Sequence, residues 1–320
     1  MGSPVSPPVR LRVTAPPHPH LGPGPVLRAA AVAGVHVGAA AAIVRGATPR
    51  LVALAAGLYL VRMFVLAAGY HRYFAHRAYR TSRGVQLLLA VLGTTAMQRG
   101  PLWWASMDRL HHRTADTERD VHSPFSDAGP VSGFLWAHLG WLVGRRHEAA
   151  RLAVIRDFAG YPELRLVERW SAIGPLALAV LLLATGGVDA FLWGFAVSTC
   201  LLVHACGALG SAAHRWGSRR YATADASRNG LLLAIVTLGE GWHNNHHHYM
   251  NSARLGFHAW EVDPTFAVLR LLARLGLVWD LRAVPPHVAR RHLVAEVGER
   301  CPLVAGKAKS RPLPARAVLG

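Results

Sequence analysis

Histidines stand in short, regularly spaced groups in this sequence, and such groups can hold metal ions. His71 and His76 are five residues apart, which separates their side chains by about 140° on an ideal α-helix. His243, His246 and His247 stand at positions i, i+3 and i+4, so a helix would carry them on one face. Neutral imidazole suits first-row transition metals at physiological pH. The predicted metal ligands are His71, His76, His111, His112, His214, His243, His246 and His247.

Asp108 extends the group that His111 and His112 form. It precedes them by three and four residues, which would place its carboxylate on the same helical face. Carboxylates also bind transition metals beside histidines, so we predict that Asp108 binds the metal directly or through a water molecule. His248 is interpreted as a neighbour of the last group and His122 as a structural or substrate-facing residue. The histidines interpreted as ordinary surface or core residues include His36, His138, His147 and His204.

Long apolar segments separate the histidine groups and must position them. The chain is 52% hydrophobic, and four segments approach the roughly 20 residues that a helix needs to cross a bilayer. A shorter run, 85–97, suits an interfacial or re-entrant helix, whereas Arg62 would have to face the protein interior or reach the membrane edge. Buried core helices of a soluble protein are the alternative interpretation. The four segments are 26–44, 51–69, 172–187 and 191–209.

The order of these segments predicts the topology. Two pairs of spans, each followed by a polar region that carries histidines, would return the chain to the same side of the membrane both times. Arginine-rich flanks are typical of cytoplasmic loops. We therefore predict an all-α integral membrane protein with about four transmembrane helices. The histidine groups would lie on a cytosolic helical cap, and both termini would also be cytoplasmic.

Charge and cysteine usage exclude other classes of protein. The net charge is +18, but arginines account for nearly all the basic residues and flank the apolar runs. A nucleic-acid-binding domain would instead gather its charge on one polar face, so no nucleic acid is expected. Three cysteines without zinc-site spacing indicate a reducing compartment. The predicted organisation is a disordered tail, 1–25, one membrane domain, 26–285, and a basic C-terminal tail, 286–320.

Several motifs combine these histidines with fixed neighbours. The principal ones are His71-Arg-Tyr-Phe-Ala-His76, Arg109-Leu-His111-His112, Ser211-Ala-Ala-His214 and Gly239-Glu-Gly-Trp-His243-Asn-Asn-His246-His247-His248. In this order and spacing, the chain resembles the membrane fatty-acyl desaturases, of the stearoyl-CoA and bacterial delta-9 type, over residues 51–285. The resemblance implies two iron ions held by histidines, a kinked tunnel for the acyl chain, and electrons delivered by a partner protein.

The resemblance also implies the reaction. A fatty-acyl desaturase of this kind uses dioxygen to remove two hydrogens from adjacent carbons of a long-chain acyl-CoA or lipid-linked acyl chain, leaving a cis double bond. No catalytic residue beyond the metal ligands is expected. The sequence has no cytochrome b5-like segment and no nucleotide fingerprint, so we expect a separate ferredoxin-, rubredoxin- or cytochrome b5-type donor. Tyr73, Trp103 and Trp104 are candidates for the channel lining, or for aromatic anchors at the membrane interface.

Two positions depart from the family pattern. Asp108 stands where the family has the first histidine of its second group. Gly210 stands where the family has an asparagine that holds a metal-bound water, and glycine cannot replace that side chain. Two alternatives therefore stay open: a fatty-acyl hydroxylase on the same scaffold, and a degenerate desaturase without catalysis. A bacterial cell membrane is the expected location.

Overall fold

The computed structural model describes residues 24–125 and 129–294. Most of the predicted N-terminal tail and most of the predicted C-terminal tail fall outside these residues, so both remain predictions. The described chain is mostly helical, which confirms the predicted class in its coarser form. A two-stranded antiparallel sheet that pairs Arg80 with Trp279 was not expected, because strands of two residues leave no periodic pattern in a sequence.

The helices begin and end mostly at residues with clear local reasons. Proline occupies the first turn of many of them, and the Thr48 and Ser82 side chains accept hydrogen bonds from backbone N–H groups at the starts of α2 and α3. The helices are α1 (Pro25–Arg45), α2 (Pro49–Phe64), α3 (Arg83–Thr94), α4 (Pro101–Thr114), α5 (Pro130–Leu135), α6 (Trp141–Val143), α7 (Arg156–Ala159), α8 (Pro162–Arg169), α9 (Ile173–Ala190), α10 (Ser198–Gly210), α11 (Leu231–Val236), α12 (His243–His248), α13 (Pro264–Arg274) and α14 (Pro286–Ala289). The strands are β1 (Arg80–Thr81) and β2 (Val278–Trp279).

Wider or tighter turns join several of these helices. Stretches of π-helix continue α2 through Val65–Ala75, link α5 to α6 through Trp136–Gly140, and link α9 to α10 through Phe191–Val197. Short 3₁₀ turns cover Leu152–Val154 and Ala212–His214. Such π-helical stretches are rare in proteins, and those that occur often lie at functional sites.

Three helical stretches in the described residues are long and apolar enough to cross a membrane. They are Pro25–Arg45, Pro49–Ala75 and Ile173–His214. The third is not straight, because Gly187 has a non-helical backbone with φ 68° and ψ −166°. A Cβ atom placed on Gly194 would lie 3.1 Å from Leu182 Cδ1, whereas twelve residues of straight helix span about 18 Å. The chain therefore folds back at Gly187 into two apolar limbs, and the four-span arrangement remains a prediction.

Arg62 shows how the second apolar segment tolerates a charge. Its side chain is buried and faces the protein interior. The guanidinium donates to Thr199 Oγ1 at 2.8 Å, to Ser198 Oγ, and to the backbone oxygen of Thr95 at 3.2 Å. These contacts join α2 to α10 and to the end of α3, so the buried cation has the polar partners that it needs.

Candidate metal centre

The first histidine group consists of His71, His76, His112 and His246. Their candidate ligand nitrogens all lie within 4.8 Å of one another. The Nε2 atom of His246 lies 2.9 Å from Nε2 of His71 and 2.9 Å from Nε2 of His112. Three parts of the chain supply this group: the π-helical end of α2, helix α4 and helix α12.

The π-helical end of α2 explains how His71 and His76 meet. On an α-helix their side chains would point about 140° apart. The backbone N–H of His76 instead donates to the carbonyl oxygen of His71 at 3.2 Å, an i→i+5 bond. The wider turn brings the two ring centroids to 4.7 Å. The expectation of an ordinary helix was therefore wrong in this segment, and the π-helix is what turns both histidines to one point.

The second histidine group consists of His111, His214, His243 and His247. Their candidate ligand nitrogens also lie within 4.8 Å of one another. The Nε2 atom of His243 lies 3.1 Å from Nε2 of His214 and 3.1 Å from Nε2 of His247. Helix α4, the 3₁₀ turn after α10, and helix α12 supply these four rings.

Helices α4 and α12 each contribute to both groups. Adjacent His111 and His112 point to different groups, and on α12 His246 separates from His243 and His247. The rings of His112 and His247 are 4.4 Å apart, so the groups adjoin. The structure brings together all eight predicted histidines, and it divides them four and four.

Carboxylates hold the outer nitrogens of four rings. Nδ1 of His111 lies 2.9 Å from Asp120, Nδ1 of His214 lies 2.8 Å from Asp116, and Nδ1 of His247 lies 2.8 Å from Asp225. Glu240 likewise contacts Nδ1 of His71. An acceptor at Nδ1 fixes the tautomer whose Nε2 has a free lone pair, which is the usual support of a metal-binding histidine.

Sequence reasoning did not assign roles to these four carboxylates. Asp116, Asp120 and Glu240 stand inside or beside the histidine motifs, and that proximity was the available signal. Asp225 lies apart from the motifs, and no pattern in the sequence connects it to His247. Its position follows only from the tertiary fold, which brings the 223–227 turn against α12.

Burial favours the neutral form of some of the inward-facing imidazoles. It lowers the pKa of His112, His243 and His246 well below the ordinary histidine value, and neighbouring histidines lower it further. Burial alone would raise the pKa of the Asp225 carboxyl, but His247 and Ser227 more than offset this effect, so the pKa of Asp225 is lowered. Neutral imidazole is the form that binds a metal, so these groups are ready to act as ligands.

The donor set fits two transition-metal ions. Two nitrogens bound at right angles to one ion, with bonds of about 2.1 Å, would lie about 3 Å apart. The Nε2 pairs of both groups match that separation. In addition, Nε2 of His111 is buried and has no hydrogen-bond partner among the described residues. Buried polar atoms are rarely left in this way, and a bound ion would satisfy it.

The two positions that depart from the family pattern lie against these groups. Asp108 Oδ2 is 2.9 Å from Nε2 of His76 and 3.7 Å from Nε2 of His112, beside the first group. A Cβ atom on Gly210 would lie 3.1 Å from Nδ1 of His122. The ring of His122 in turn stacks on His111, with centroids 4.2 Å apart. The backbone at residue 210 is therefore close-packed, and a larger side chain there would have to displace His122.

A small cavity adjoins both groups. Its volume is about 70 Å³, and its apolar walls include Met63, Leu66 and Trp104. Of the candidate channel residues, only Trp104 lines it. Trp103 stacks on Trp141 with centroids 5.2 Å apart, and Tyr73 packs in the aromatic core behind the first group. Neither of these two lines this small cavity or the larger cavity described next.

A larger cavity lies elsewhere, between α1, α8 and α9. Its volume is about 1120 Å³, and its walls combine apolar residues with Arg99, Arg165 and Arg169. None of the eight grouped histidines lines it. Size alone would favour this space as the reaction site, but the ligand atoms and the buried carboxylates surround the smaller one, which we therefore take as the candidate site.

The chain is similar to known desaturases over most of its length. A model of the family described as "Fatty acid desaturase" matches residues 48–280. An "Acyl-CoA C20 Delta5-desaturase" of Anemone leveillei is 35% identical over 234 residues, covering 72% of this chain and 73% of that protein. An "sn-1 stearoyl-lipid 9-desaturase" of Anabaena variabilis is 35% identical over 220 residues, 68% of this chain and 78% of that protein.

Proposed function

Because this chain belongs to the fatty acid desaturase family and is a fatty acyl desaturase, we propose that it holds two iron ions and uses dioxygen to place a cis double bond in a long acyl chain. The observation that carries this proposal is the pair of adjoining histidine groups, each with four inward-facing imidazoles. Imidazole suits iron, and the absence of a thiolate from both groups of described residues argues against the softer metals.

The residues of the centre would share the work of holding the iron pair. The eight histidines and, beside the first group, Asp108 would be the ligands. Asp116, Asp120, Asp225 and Glu240 would orient four of the rings from outside. When bound, the iron pair would supply the activation of dioxygen and the removal of two hydrogen atoms from neighbouring carbons.

The small cavity would position the acyl chain. Met63, Leu66 and Trp104 offer it an apolar wall, and the same wall would exclude water from the reacting carbons. Trp104 also packs against the ring of His71, with centroids 5.9 Å apart, so the apolar wall directly adjoins a proposed ligand. Tyr73 and Trp103 would support the channel from behind.

The carrier of the acyl chain and the electron donor complete the proposal. The relatives named above act on CoA-linked and on lipid-linked chains, and we propose a long-chain acyl substrate of one of these two forms. Electrons would come from a separate protein of the ferredoxin, rubredoxin or cytochrome b5 type.

We also propose four membrane spans in two hairpins, with the histidine groups on the cytoplasmic side of a bacterial membrane. Two contacts support the pairing. Arg45, at the end of α1, forms a 2.7 Å ion pair with Asp189, just after the turn at Gly187. The indole N–H of Trp193 donates to the backbone oxygen of Gly46 at 3.1 Å. Both hairpin turns therefore lie at the same end of the helices, away from His71 and His214.

Mass spectrometry of cellular lipids tests the proposed reaction. Cells that express the chain should accumulate acyl chains that have lost two hydrogen atoms, and the same cells with His247→Ala should not. Acyl chains that gain one oxygen atom would identify the hydroxylase alternative instead. A purified chain that holds fewer than two irons, and that changes no lipid when supplied with a reductant, would identify the degenerate alternative.

A further inference from the structure

A third group of metal-binding side chains lies apart from the two histidine groups. His36 on α1 and His204 and Cys200 on α10 have candidate ligand atoms within 4.8 Å of one another. Nε2 of His36 is 2.9 Å from Nε2 of His204, a spacing like that within the other groups. His204 precedes His214 by ten residues, about 15 Å of helix rise, so this group is separate from the proposed iron ligands.

Two backbone carbonyl groups fix where the hydrogens lie in the network around this group. Nδ1 of His36 lies 2.7 Å from the carbonyl oxygen of Val32. A carbonyl oxygen can only accept, so this nitrogen carries the hydrogen and Nε2 of a neutral His36 is bare. At the other end, the Ser211 hydroxyl donates to the carbonyl oxygen of Gly207 at 2.7 Å, which uses its single hydrogen.

His138 connects Ser211 to His204. Nδ1 of His138 lies 2.9 Å from Ser211 Oγ, and it must donate because the serine hydrogen is already used. A neutral His138 then has a bare Nε2, which lies 2.9 Å from Nδ1 of His204. His204 must donate from Nδ1, so its own Nε2 is bare as well. The chain of bonds therefore ends in two bare nitrogens, on His204 and His36, that face each other at 2.9 Å.

Two facing lone pairs at this distance repel unless a cation lies between or beside them. A proton or a metal ion could supply the missing charge. Cys200 favours the metal, because its sulfur stands one helical turn from His204 and belongs to the same set of ligand atoms. An extra proton would leave a positive imidazolium in an apolar segment, whereas a thiolate would balance the charge of a metal ion.

We propose that His36, Cys200 and His204 bind one copper(I) ion, which ties α1 to α10 within the apolar part of the protein. Thiolate sulfur selects soft ions such as copper(I), and imidazole also suits copper. Two neutral imidazoles, one thiolate and copper(I) carry no net charge together, whereas zinc(II) would leave one positive charge. His138 is a positioning residue here, because its Nε2 fixes the tautomer of His204.

Copper(I) binding by the purified full chain tests this proposal. The chain in detergent micelles would be titrated with copper(I) from a colorimetric chelator without oxygen, and copper would then be counted by mass spectrometry. We expect one copper per chain, with one sulfur and two nitrogen neighbours in X-ray absorption. Cys200→Ser and His204→Ala should lose the copper. His138→Ala should weaken copper binding about tenfold or more, as loss of an orienting partner usually does.

Cys206→Ser is the matched control, because Cys206 lies on the same helix but outside the group. It should retain copper. Circular dichroism on each variant separates lost binding from lost folding, and iron counted in the same samples separates this site from the proposed iron pair. A wild-type chain that binds no more copper than folded Cys200→Ser would overturn the proposal. A clear preference for zinc over copper in competition would overturn the choice of ion.

Discussion

Asp108 and His76 face each other at 2.9 Å, with a carboxylate oxygen against Nε2 of the imidazole. Burial alone would raise the pKa of this carboxyl, but His76 and His112 hold the pKa of Asp108 well below its ordinary range. An ionised carboxylate therefore adjoins the first histidine group, at the position where the resemblance to the desaturases implies a histidine. This arrangement makes Asp108 a candidate for an anionic fifth ligand rather than a mark of lost function.

Replacing Asp108 tests that role directly. Asp108→Ala should lower the iron affinity of the first group about 10- to 100-fold, because the group loses a ligand or the acceptor that orients His76. Asp108→His should keep or raise iron binding. Iron content and lipid product would be measured together, with Glu118→Ala as an exposed control. Unchanged iron and turnover in Asp108→Ala would remove Asp108 from the centre, and activity that appears only in Asp108→His would indicate a degenerate natural chain.

His247 and His248 form a matched pair for the ligand assignment. His247→Ala should abolish product and reduce bound iron, because it removes one of four inward nitrogens. His248→Ala should retain both, since its Nε2 lies 2.9 Å from the carbonyl oxygen of Val288 and its ring stacks on Tyr221. Equal losses in the two variants would mean that folding of α12, rather than metal binding, explains the effect.

The sequence was sufficient to predict which histidines meet, but not how they divide. Spacing placed His243, His246 and His247 on one face of α12, and the structure agrees. A face can still serve two ions, and only the positions of the other helices decide that His246 separates from its neighbours. For His36 and His204 the sequence did not predict even the meeting, because their apolar surroundings indicated ordinary residues.

Local conformation was the other limit on prediction. The 3.6-residue period of an α-helix was assumed beyond Phe64, whereas the chain is π-helical from Val65 to Ala75. A π-helical turn holds more residues than an α-helical turn, and this small difference is hard to detect in a hydrophobic pattern. The reversal at Gly187 was better marked, since the pattern already separated two apolar segments near that point.

Asp225→Asn should weaken iron binding at the second group. One carboxylate oxygen of Asp225 accepts from Ser227 and Thr223, and the other accepts from Nδ1 of His247. An asparagine that keeps the first contacts would turn its NH₂ group toward Nδ1. His247 would then carry its hydrogen on Nε2, the wrong tautomer for metal binding.

We expect Asp225→Asn to lower iron affinity about 10- to 100-fold, while circular dichroism stays unchanged. Iron would be counted by mass spectrometry after dialysis against a graded chelator. Asp280→Asn is the control, because Asp280 is exposed and its ion pair within the described residues is with Arg80, at 3.3 Å. Equal iron retention by the two variants would show that the partner of His247 has no influence on the ion.

Accessibility of single cysteines tests the proposed topology. Glu118 and Asn251 are exposed beside the histidine groups, and Ala47 is exposed at the turn between α1 and α2. A membrane-impermeant thiol reagent applied to intact cells should label Ala47→Cys but not Glu118→Cys or Asn251→Cys. Inverted vesicles should give the opposite result, with labelling of the unmodified chain subtracted. Labelling of Glu118→Cys and Asn251→Cys from opposite faces would exclude the paired hairpins.

Trp103 and Trp104 are adjacent in the chain but differ in what they contact. Trp104 is half-buried and lines the small cavity beside the proposed iron ligands. Trp103 is fully buried, stacks on Trp141, and donates its indole N–H to the carbonyl oxygen of His147 at 2.6 Å. Replacing Trp104 should change the shape of the acyl channel, whereas replacing Trp103 should change the stability of the protein.

Trp104→Ala should therefore change the acyl-chain length profile of the product at unchanged iron content, because the indole no longer closes the apolar wall. Trp103→Ala should instead lower stability by about 3–5 kcal/mol, the usual cost of emptying a buried Trp position. The fraction of the Trp103→Ala protein that remains folded should give the same product profile as the wild type. Product profiles come from lipid mass spectrometry, and stability from thermal unfolding in detergent. The opposite result, an altered profile from Trp103→Phe with none from Trp104→Ala, would place the acyl chain on the Trp103 side of α4 and away from the small cavity.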